Sequence, residues 1–302
     1  MNKQTILIAG GSGLVGSRLT DLLLADGHGV RWLSRSGRAR KVPTFQWDTA
    51  AGYIDEKAFT DVNVIINLAG AGIADQRWTE SRKKLLIQSR TETAALLDKY
   101  IKKLNPKLNI YINASAVGYY GDQGNRLMNE NDDPGDGFLS QCCIEWENAA
   151  HQVRGDFPKA IVRIGIVLST LGGALEKMLI PLKLRTNTYF GNGEQYMSWI
   201  HIDDQCRIFQ HLIAHPTSGI FNAVASTPEK NKAFAKQVAK GMDISALLLP
   251  APKFGLRLAM GEMSDVVLES TRVSNQKIKD HGYTFLFDQV DEAVADLDKK
   301  CI

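Results

Sequence analysis

The sequence predicts an α/β protein: a Rossmann-type doubly wound parallel sheet with a smaller C-terminal substrate lobe. Three observations carry this. An apolar run at 5–9 leads directly into Gly10-Gly11-Ser12-Gly13-Leu14-Val15-Gly16, which opens a leucine-rich helical pattern. Apolar runs of strand length then alternate with helical patterns as far as residue 167, the rhythm of βαβ units. The run at 62–68 is apolar almost throughout, as a strand covered on both faces must be. With 302 residues, 44% of them hydrophobic, the chain can bury a sizeable core.

Taken in order, the first strand (5–9) and the glycine elbow precede a helix at 14–26, where Leu14, Val15, Leu19, Leu22 and Leu23 recur at helical spacing and Gly27 offers a left-handed stop. Strands follow at 30–34, 45–48 and 62–68. Between 79 and 104 one helical face is apolar or small, with lysines and arginines opposite; Arg90 is singled out because it adjoins the side that should pack on the sheet. A strand at 109–114 runs into Ser115-Ala116-Val117-Gly118-Tyr119-Tyr120-Gly121, a helix spans 138–154, and a strand lies at 161–164. Beyond Val167 glycine turns, prolines and short helical patterns replace the alternation. The expected division is a nucleotide-binding domain over 1–167, to which 199–225 returns, and a lobe formed by 168–198 and 226–302.

The elbow is where chemistry is expected. Glycines at 10, 13 and 16 suit a tight turn, close approach to a pyrophosphate and close helix–strand packing, and the helix start presents unpaired N–H groups to the anion. Where an NAD site would carry an acidic residue at the end of the second strand, this chain has Ser34-Arg35. A guanidinium fork beside a hydroxyl suits a 2'-phosphate, so the expected cofactor is NADP(H). Asp48 can accept from an adenine amino group or simply form the turn before Ala50. Small residues at Leu68-Ala69-Gly70 would let backbone lie against the cofactor. Ser115 sits where open α/β sheets bind ligands.

Composition narrows the partners. A net charge of +3 is too small to imply nucleic acid, and the basic cluster Arg31, Arg35, Arg38, Arg40 and Lys41 is either a phosphate neighbour or a solvated loop. Four cysteines without metal spacing suit a reduced, cytoplasmic setting. No signal peptide, membrane anchor or metal is expected. His201 with Asp203 and Asp204 resembles a metal cluster only superficially, since an aspartate there suits a helix cap. Tyr196, Met197 and Trp199 are candidates for either a pocket wall or the core.

These pieces, together with Arg77-Trp78-Thr79, Ser89-Arg90, Arg163-Ile164-Gly165-Ile166-Val167-Leu168 and Ser198-Trp199-Ile200-His201-Ile202-Asp203-Asp204, resemble the extended short-chain dehydrogenase/reductase superfamily and within it the NAD(P)-binding epimerase-family branch. The resemblance implies NADP(H) bound by Gly10 to Gly16, Ser34, Arg35, Leu68, Ala69, Arg90 and Val167. It further implies a cleft between the two parts for a small-molecule substrate, a nucleotide sugar or another carbonyl compound. Related enzymes carry Tyr-x-x-x-Lys on the helix after the serine, the lysine helping to lower a tyrosine pKa from its reference value of about 10. Here that helix reads Phe138-Leu139-Ser140-Gln141-Cys142. The remaining hydroxyls are Ser115 and Tyr119 or Tyr120, with packing at the lobe interface as the alternative role for the tyrosines. Two functions stay open: hydride transfer by an oxidoreductase or epimerase, and a non-catalytic NADPH-binding redox sensor.

Overall fold

The computed structural model describes residues 3–36 and 41–299; Arg38 and Arg40 of the basic cluster lie outside the described residues. The first half of the chain forms β1 (Thr5–Ala9), α1 (Leu14–Ala25), β2 (Gly29–Ser34), β3 (Thr44–Asp48), β4 (Tyr53–Ile54), β5 (Val64–Asn67), α2 (Glu80–Leu104), β6 (Ile110–Ala116), β7 (Leu127–Met128), α3 (Phe138–His151) and β8 (Lys159–Ile164). The second half adds β9 (Ile166–Leu168), α4 (Gly173–Lys183), β10 (Thr186–Phe190), β11 (Tyr196–Met197), β12 (Trp199–His201), α5 (Ile202–Ala214), β13 (Gly219–Ala223) and β14 (Glu229–Lys230). It ends with α6 (Asn231–Gly241), β15 (Leu247–Ala251), α7 (Lys253–Met260), α8 (Asp265–Leu268), β16 (Arg272–Val273), α9 (Gln276–Asp280) and α10 (Val290–Lys299).

Eight strands make the main sheet in the order β13-β8-β6-β5-β1-β2-β3-β4, parallel except where β4 runs against β3. Strand alternation sends Ile6, Ile8, Val64 and Ile66 to one face, where they pack with Leu19 and Leu23 of α1 and with Ile208, Phe209 and Leu212 of α5. Leu7, Ala9 and Ile65 go to the other face, against Ala94, Leu97 and Ile101 of α2. Both sides are therefore dry, which is why these strands read as unbroken apolar runs.

The helix boundaries follow from caps. Thr79 accepts from Arg82 N–H at 3.2 Å to start α2, and Asn105 ends it in the left-handed region (φ 45°) just before Pro106. Gly27, at φ +82°, stops the chain after α1 as expected. The chain order reverses beside β1: β2 and β3 lie on one side, β5, β6, β8 and β13 on the other. The carboxyl ends of β1 and β5 thus open into a crevice at the switch point.

Strand β13 joins the edge of the main sheet beside β8, while β9–β12, β10–β15 and β11–β14 form two-stranded pairs outside it. Tyr283 and the backbone of Leu286 and Phe287 are held by Asp204 of α5, which fastens the C-terminal segment to the sheet-covering helix. Among the described residues no helix is long and apolar enough to cross a membrane.

Candidate active site

At the elbow, three glycines are required by the fold itself. Gly10 has φ +82°, and a Cβ there would lie 2.9 Å from the Leu68 carbonyl carbon. A Cβ on Gly11 would meet the Trp32 ring at 2.2 Å, and one on Gly16 would meet Gly10 O at 2.5 Å. Gly13 differs: its φ is −75°, and its Cβ would touch only Gly10 O, at 3.3 Å. It is the N-cap of α1, no side chain caps that end, and the first turn carries no acidic residue. Ser12 and Gly13 are exposed, whereas Leu14 and Val15 pack against the core. The exposed elbow therefore leaves the positive end of α1 open to an anion, which fits a pyrophosphate.

The flanking candidates converge on the same crevice. Ser34 ends β2, its hydroxyl 3.4 Å from that of Ser36, and the Arg35 guanidinium is exposed beside it. Leu68 N–H donates to Ala9 O at 2.9 Å and Ala69 N–H to Asn67 Oδ1 at 3.3 Å, so the chain after β5 lies against the elbow. Gly70 is kept small by Arg90, whose guanidinium carbon a Cβ would meet at 3.2 Å. Val167 lies in β9, with Ile166 beside it on the cavity wall described next. Asp48 takes the turn role, its Oδ1 accepting from Ala50 and Ala51 N–H at 2.9 and 3.1 Å.

Next to this crevice lies a cavity of about 280 Å³ at the carboxyl ends of β6 and β8. Ala116, Val117 and Gly118 form one wall, Leu139, Cys142, Cys143 and Trp146 of α3 a second, and Ile164 to Ile166 a third. Tyr196, Met197 and Ser198, with Asp265, Val266, Val267, Glu269 and Thr271, close it from the C-terminal part. Tyr196 and Met197 thus serve as pocket wall, whereas Trp199 is fully buried core. Arg90 also lines the cavity; it stacks 4.8 Å from the Trp146 ring and donates to Leu86 O at 2.9 Å. Burial lowers its pKa from the usual guanidinium value. Phe138 is turned aside, edge-on to Trp78 at 4.9 Å. Burial raises the Cys142 thiol and pushes Cys143 up to about 12, so both stay protonated and unreactive at neutral pH.

Two of the hydroxyls expected to move a proton, those of Ser115 and Tyr120, are engaged elsewhere. Strand β6 continues through Ala116, so Ser115 is not the first loop residue but a strand position whose side chain points away from the cavity. Its Oγ donates to Glu147 Oε1 of α3 at 2.6 Å. Glu147 is gripped by Arg163 through Nε and Nη2, each at 2.8 Å, and Arg163 Nη1 donates to Tyr120 Oη at 2.9 Å. Tyr120 in turn donates to Asn222 Oδ1 at 2.8 Å. Ser115 is 2% exposed and Tyr120 is fully buried. Burial pushes the Tyr120 phenol up to about 12 despite Arg163. Tyr119 lies against the same guanidinium, its ring centre 3.4 Å away. None of the three borders the cavity. The arrangement corrects the placement expected of Ser115 and Tyr120, which belong to a buried polar network behind the site; Tyr119 is half-buried, its ring against the Arg163 guanidinium.

His201, Asp203 and Asp296 bring potential ligand atoms within 4.8 Å of one another. The Asp203 carboxylate, however, is spanned by the Arg18 guanidinium at 2.6 and 3.0 Å, so a fixed cation of the protein already balances it. The helix cap is His201 itself, whose Nδ1 accepts from Asp203 N–H at 3.0 Å, in place of the expected aspartate.

The sequence reading missed Asp265 and Glu269, one helical turn apart. Neither carboxylate has a hydrogen-bond or salt-bridge partner among the described residues, and Glu269 Oε1 lies 3.8 Å from where a Cβ on Gly137 would be, at the start of α3. Burial, reinforced by Asp265 and Asp122, pushes the Glu269 carboxyl up to about 7; burial likewise raises Asp265. The spacing of two carboxylates within Asp265-Val266-Val267-Leu268-Glu269 was the available signal, but it is also that of an ordinary solvated helix.

Residues 6–223 match the NAD dependent epimerase/dehydratase family, and residues 251–297 match a domain of unknown function, DUF1731. The chain belongs to the NAD dependent epimerase/dehydratase family. Among its relatives, the epimerase family protein Mb2239 of Mycobacterium bovis is 34% identical over 97% of both chains. The chloroplastic SDR39U1 homolog of Arabidopsis thaliana is 30% identical over 97% of this chain and 86% of its own. The crystal structure of human epimerase family protein SDR39U1 with NADPH superposes with a TM-score of 0.88 at 30% identity, covering 98% of this chain and 99% of that one. The extended short-chain dehydrogenase/reductase resemblance and the Rossmann-type fold expected from the sequence thus hold.

Proposed function

We propose that this member of the family is an NADP(H)-dependent oxidoreductase or epimerase acting at a carbonyl or alcohol carbon of a small molecule. The observation that carries the reading is an uncapped, exposed glycine elbow opening beside a largely apolar cavity at the switch point of the sheet. Gly10 to Gly16 with Leu68, Ala69 and Gly70 would hold the pyrophosphate and ribose backbone. Ser34 and Arg35 would hold a 2'-phosphate, and Arg90 and Val167 the nicotinamide half. When bound, NADPH would supply a hydride. The protein's own residues orient the reacting carbon in the cavity and exclude water with the walls of α3 and β9. The mostly apolar walls carry Arg90, Tyr196, Ser198, Asp265, Glu269 and Thr271, which suits a small carbonyl compound or the sugar of a nucleotide sugar. The human relative bound to NADPH supports the choice of cofactor, and the buried free thiols of Cys142, Cys143 and Cys206 suit a cytoplasmic setting.

Gly13 allows the mildest test at the elbow, since its φ suits any residue and a Cβ there would meet only Gly10 O, at 3.3 Å, which must give by a few tenths of an ångström. Gly13→Val is expected to keep the circular dichroism spectrum and to abolish NADPH binding measured by fluorescence titration; unchanged affinity in a folded variant would place the nucleotide elsewhere. Arg35→Ala is expected to weaken NADPH about tenfold to a hundredfold, the worth of a charge-assisted bond of roughly 1.5 to 3 kcal/mol, and to leave NADH unchanged. The absence of hydroxyls from Ser115, Tyr119 and Tyr120 on the cavity wall favours a second reading, a sensor that binds NADPH and turns nothing over. A carbonyl panel that leaves bound NADPH unoxidised selects it.

A further inference from the structure

We propose that Glu269 is the proton donor to the oxygen of a carbonyl group reduced in this cavity, replacing the absent helix tyrosine from the opposite, C-terminal wall. The inference rests on the hydride-transfer reading above. Its geometry is independent of that reading: a carboxyl side chain lines a mostly apolar cavity, reaches the start of α3 beside Phe138, and has no hydrogen-bond or ion-pair partner among the described residues. The side chain is half-buried, which disfavours its charged form. The group borders the volume a substrate would occupy, where a substrate oxygen can take a hydrogen bond from it.

The groups around Glu269 act in both directions: the start of α3, where Gly137 is an N-cap without a side-chain cap, favours the carboxylate, and the neighbouring carboxylates favour the acid. Asp265, one turn earlier on α8, and Asp122, from the loop after Tyr120, both disfavour its ionised form. The thiols of Cys142 and Cys143 on α3 are neutral, Tyr196 contributes a phenol from β11, and Arg90 on α2, at the cavity wall, is the one guanidinium among the cavity-lining residues. With its carboxyl pushed up to about 7, Glu269 is divided between acid and carboxylate at neutral pH, the condition under which a general acid works best. In the step, hydride reaches the carbonyl carbon and the C=O π pair moves to oxygen. The Glu269 O–H bond breaks as the new O–H bond forms, giving an alcohol and a carboxylate that regains its proton from solvent. NADPH is the two-electron reductant and leaves as NADP⁺.

The test begins without cofactor. Protein carrying ¹³C-labelled glutamate carboxyls is titrated by NMR, in the wild type and in Glu269→Gln. The expected result is one glutamate signal with its midpoint near pH 7, absent from the variant; if every glutamate titrates in the ordinary carboxylate range, the proposal is overturned. NADPH consumption with a panel of aromatic and aliphatic aldehydes is then followed across pH. Wild-type turnover should fall about tenfold per pH unit above that midpoint, whereas Glu269→Gln should be slower by about 10²-fold or more and flat with pH. NADPH affinity should be equal in the two proteins. A variant retaining the wild-type rate and profile overturns the role of Glu269 while leaving the oxidoreductase reading intact. A panel that neither protein reduces, in the presence of the neutral-range titration, overturns the oxidoreductase reading and the donor role with it.

Discussion

Glu147 and Glu269 stand on two sides of one site, the first buried and the second half-buried, and show opposite ways of placing a carboxylate. Glu147, behind β6, accepts two bonds from Arg163 and one from Ser115. Glu269, across the cavity, accepts none among the described residues, and it faces Asp265 and Asp122 instead of a guanidinium. A carboxylate satisfied on all sides is committed to holding helix α3 against the sheet. A half-buried carboxyl without protein partners in a mostly apolar wall gives up its proton only near neutral pH and keeps its hydrogen-bonding capacity for something else. The difference separates architecture from chemistry more sharply than the identity of either residue does.

The largest effect that would sharpen this comparison is at the ion pair. Arg163→Leu strands the Glu147 carboxylate in the core and deprives Tyr120 of a partner, so urea denaturation should show a loss of about 3 to 5 kcal/mol. Ser115→Ala removes one bond to Glu147 and should cost about 1 to 3 kcal/mol, with NADPH affinity unchanged by titration. If that variant instead kept its stability and lost turnover, the network would have to be counted as part of the chemistry and the comparison would break.

The smallest effect has its sign fixed by linkage. Glu269 holds its proton more tightly in the folded protein than in the unfolded chain. Its contribution to stability is therefore fully present below its ordinary value of 4.5 and is lost as pH rises through about 7. Glu269→Gln cannot ionise, so its melting temperature should gain on the wild type between about pH 5 and pH 8. A difference independent of pH would mean that the carboxyl is solvated after all.

Much of the fold was legible because its signals are local. The runs Ile6-Leu7-Ile8 and Val64-Ile65-Ile66 are apolar on both strand faces, and Thr79, Gly27 and Pro106 punctuate the helices where their backbone preferences demand. The elbow was legible for the same reason, since Gly10, Gly11 and Gly16 are forced by atoms a few residues away or on neighbouring strands. Among the proton-transfer candidates, the placement of Ser115 turned on one strand boundary. Ending the strand at Ala114 placed Ser115 in the ligand crevice, whereas continuation to Ala116 turns Ser115 toward α3 by strand alternation.

By itself, then, the sequence determined the parallel sheet, the glycine elbow and the loss of Tyr and Lys from the helix at 138–142, because periodicity, backbone freedom and residue identity are written along the chain. Only the tertiary structure decided which polar groups are spent and which are spare. Ser115 and Glu147 are 32 residues apart in sequence and 2.6 Å apart in space. Glu269 reaches the cavity from a segment more than a hundred residues beyond the strand it faces. The pKa of a carboxyl depends on its neighbours and its solvent, and both are fixed only when distant segments meet.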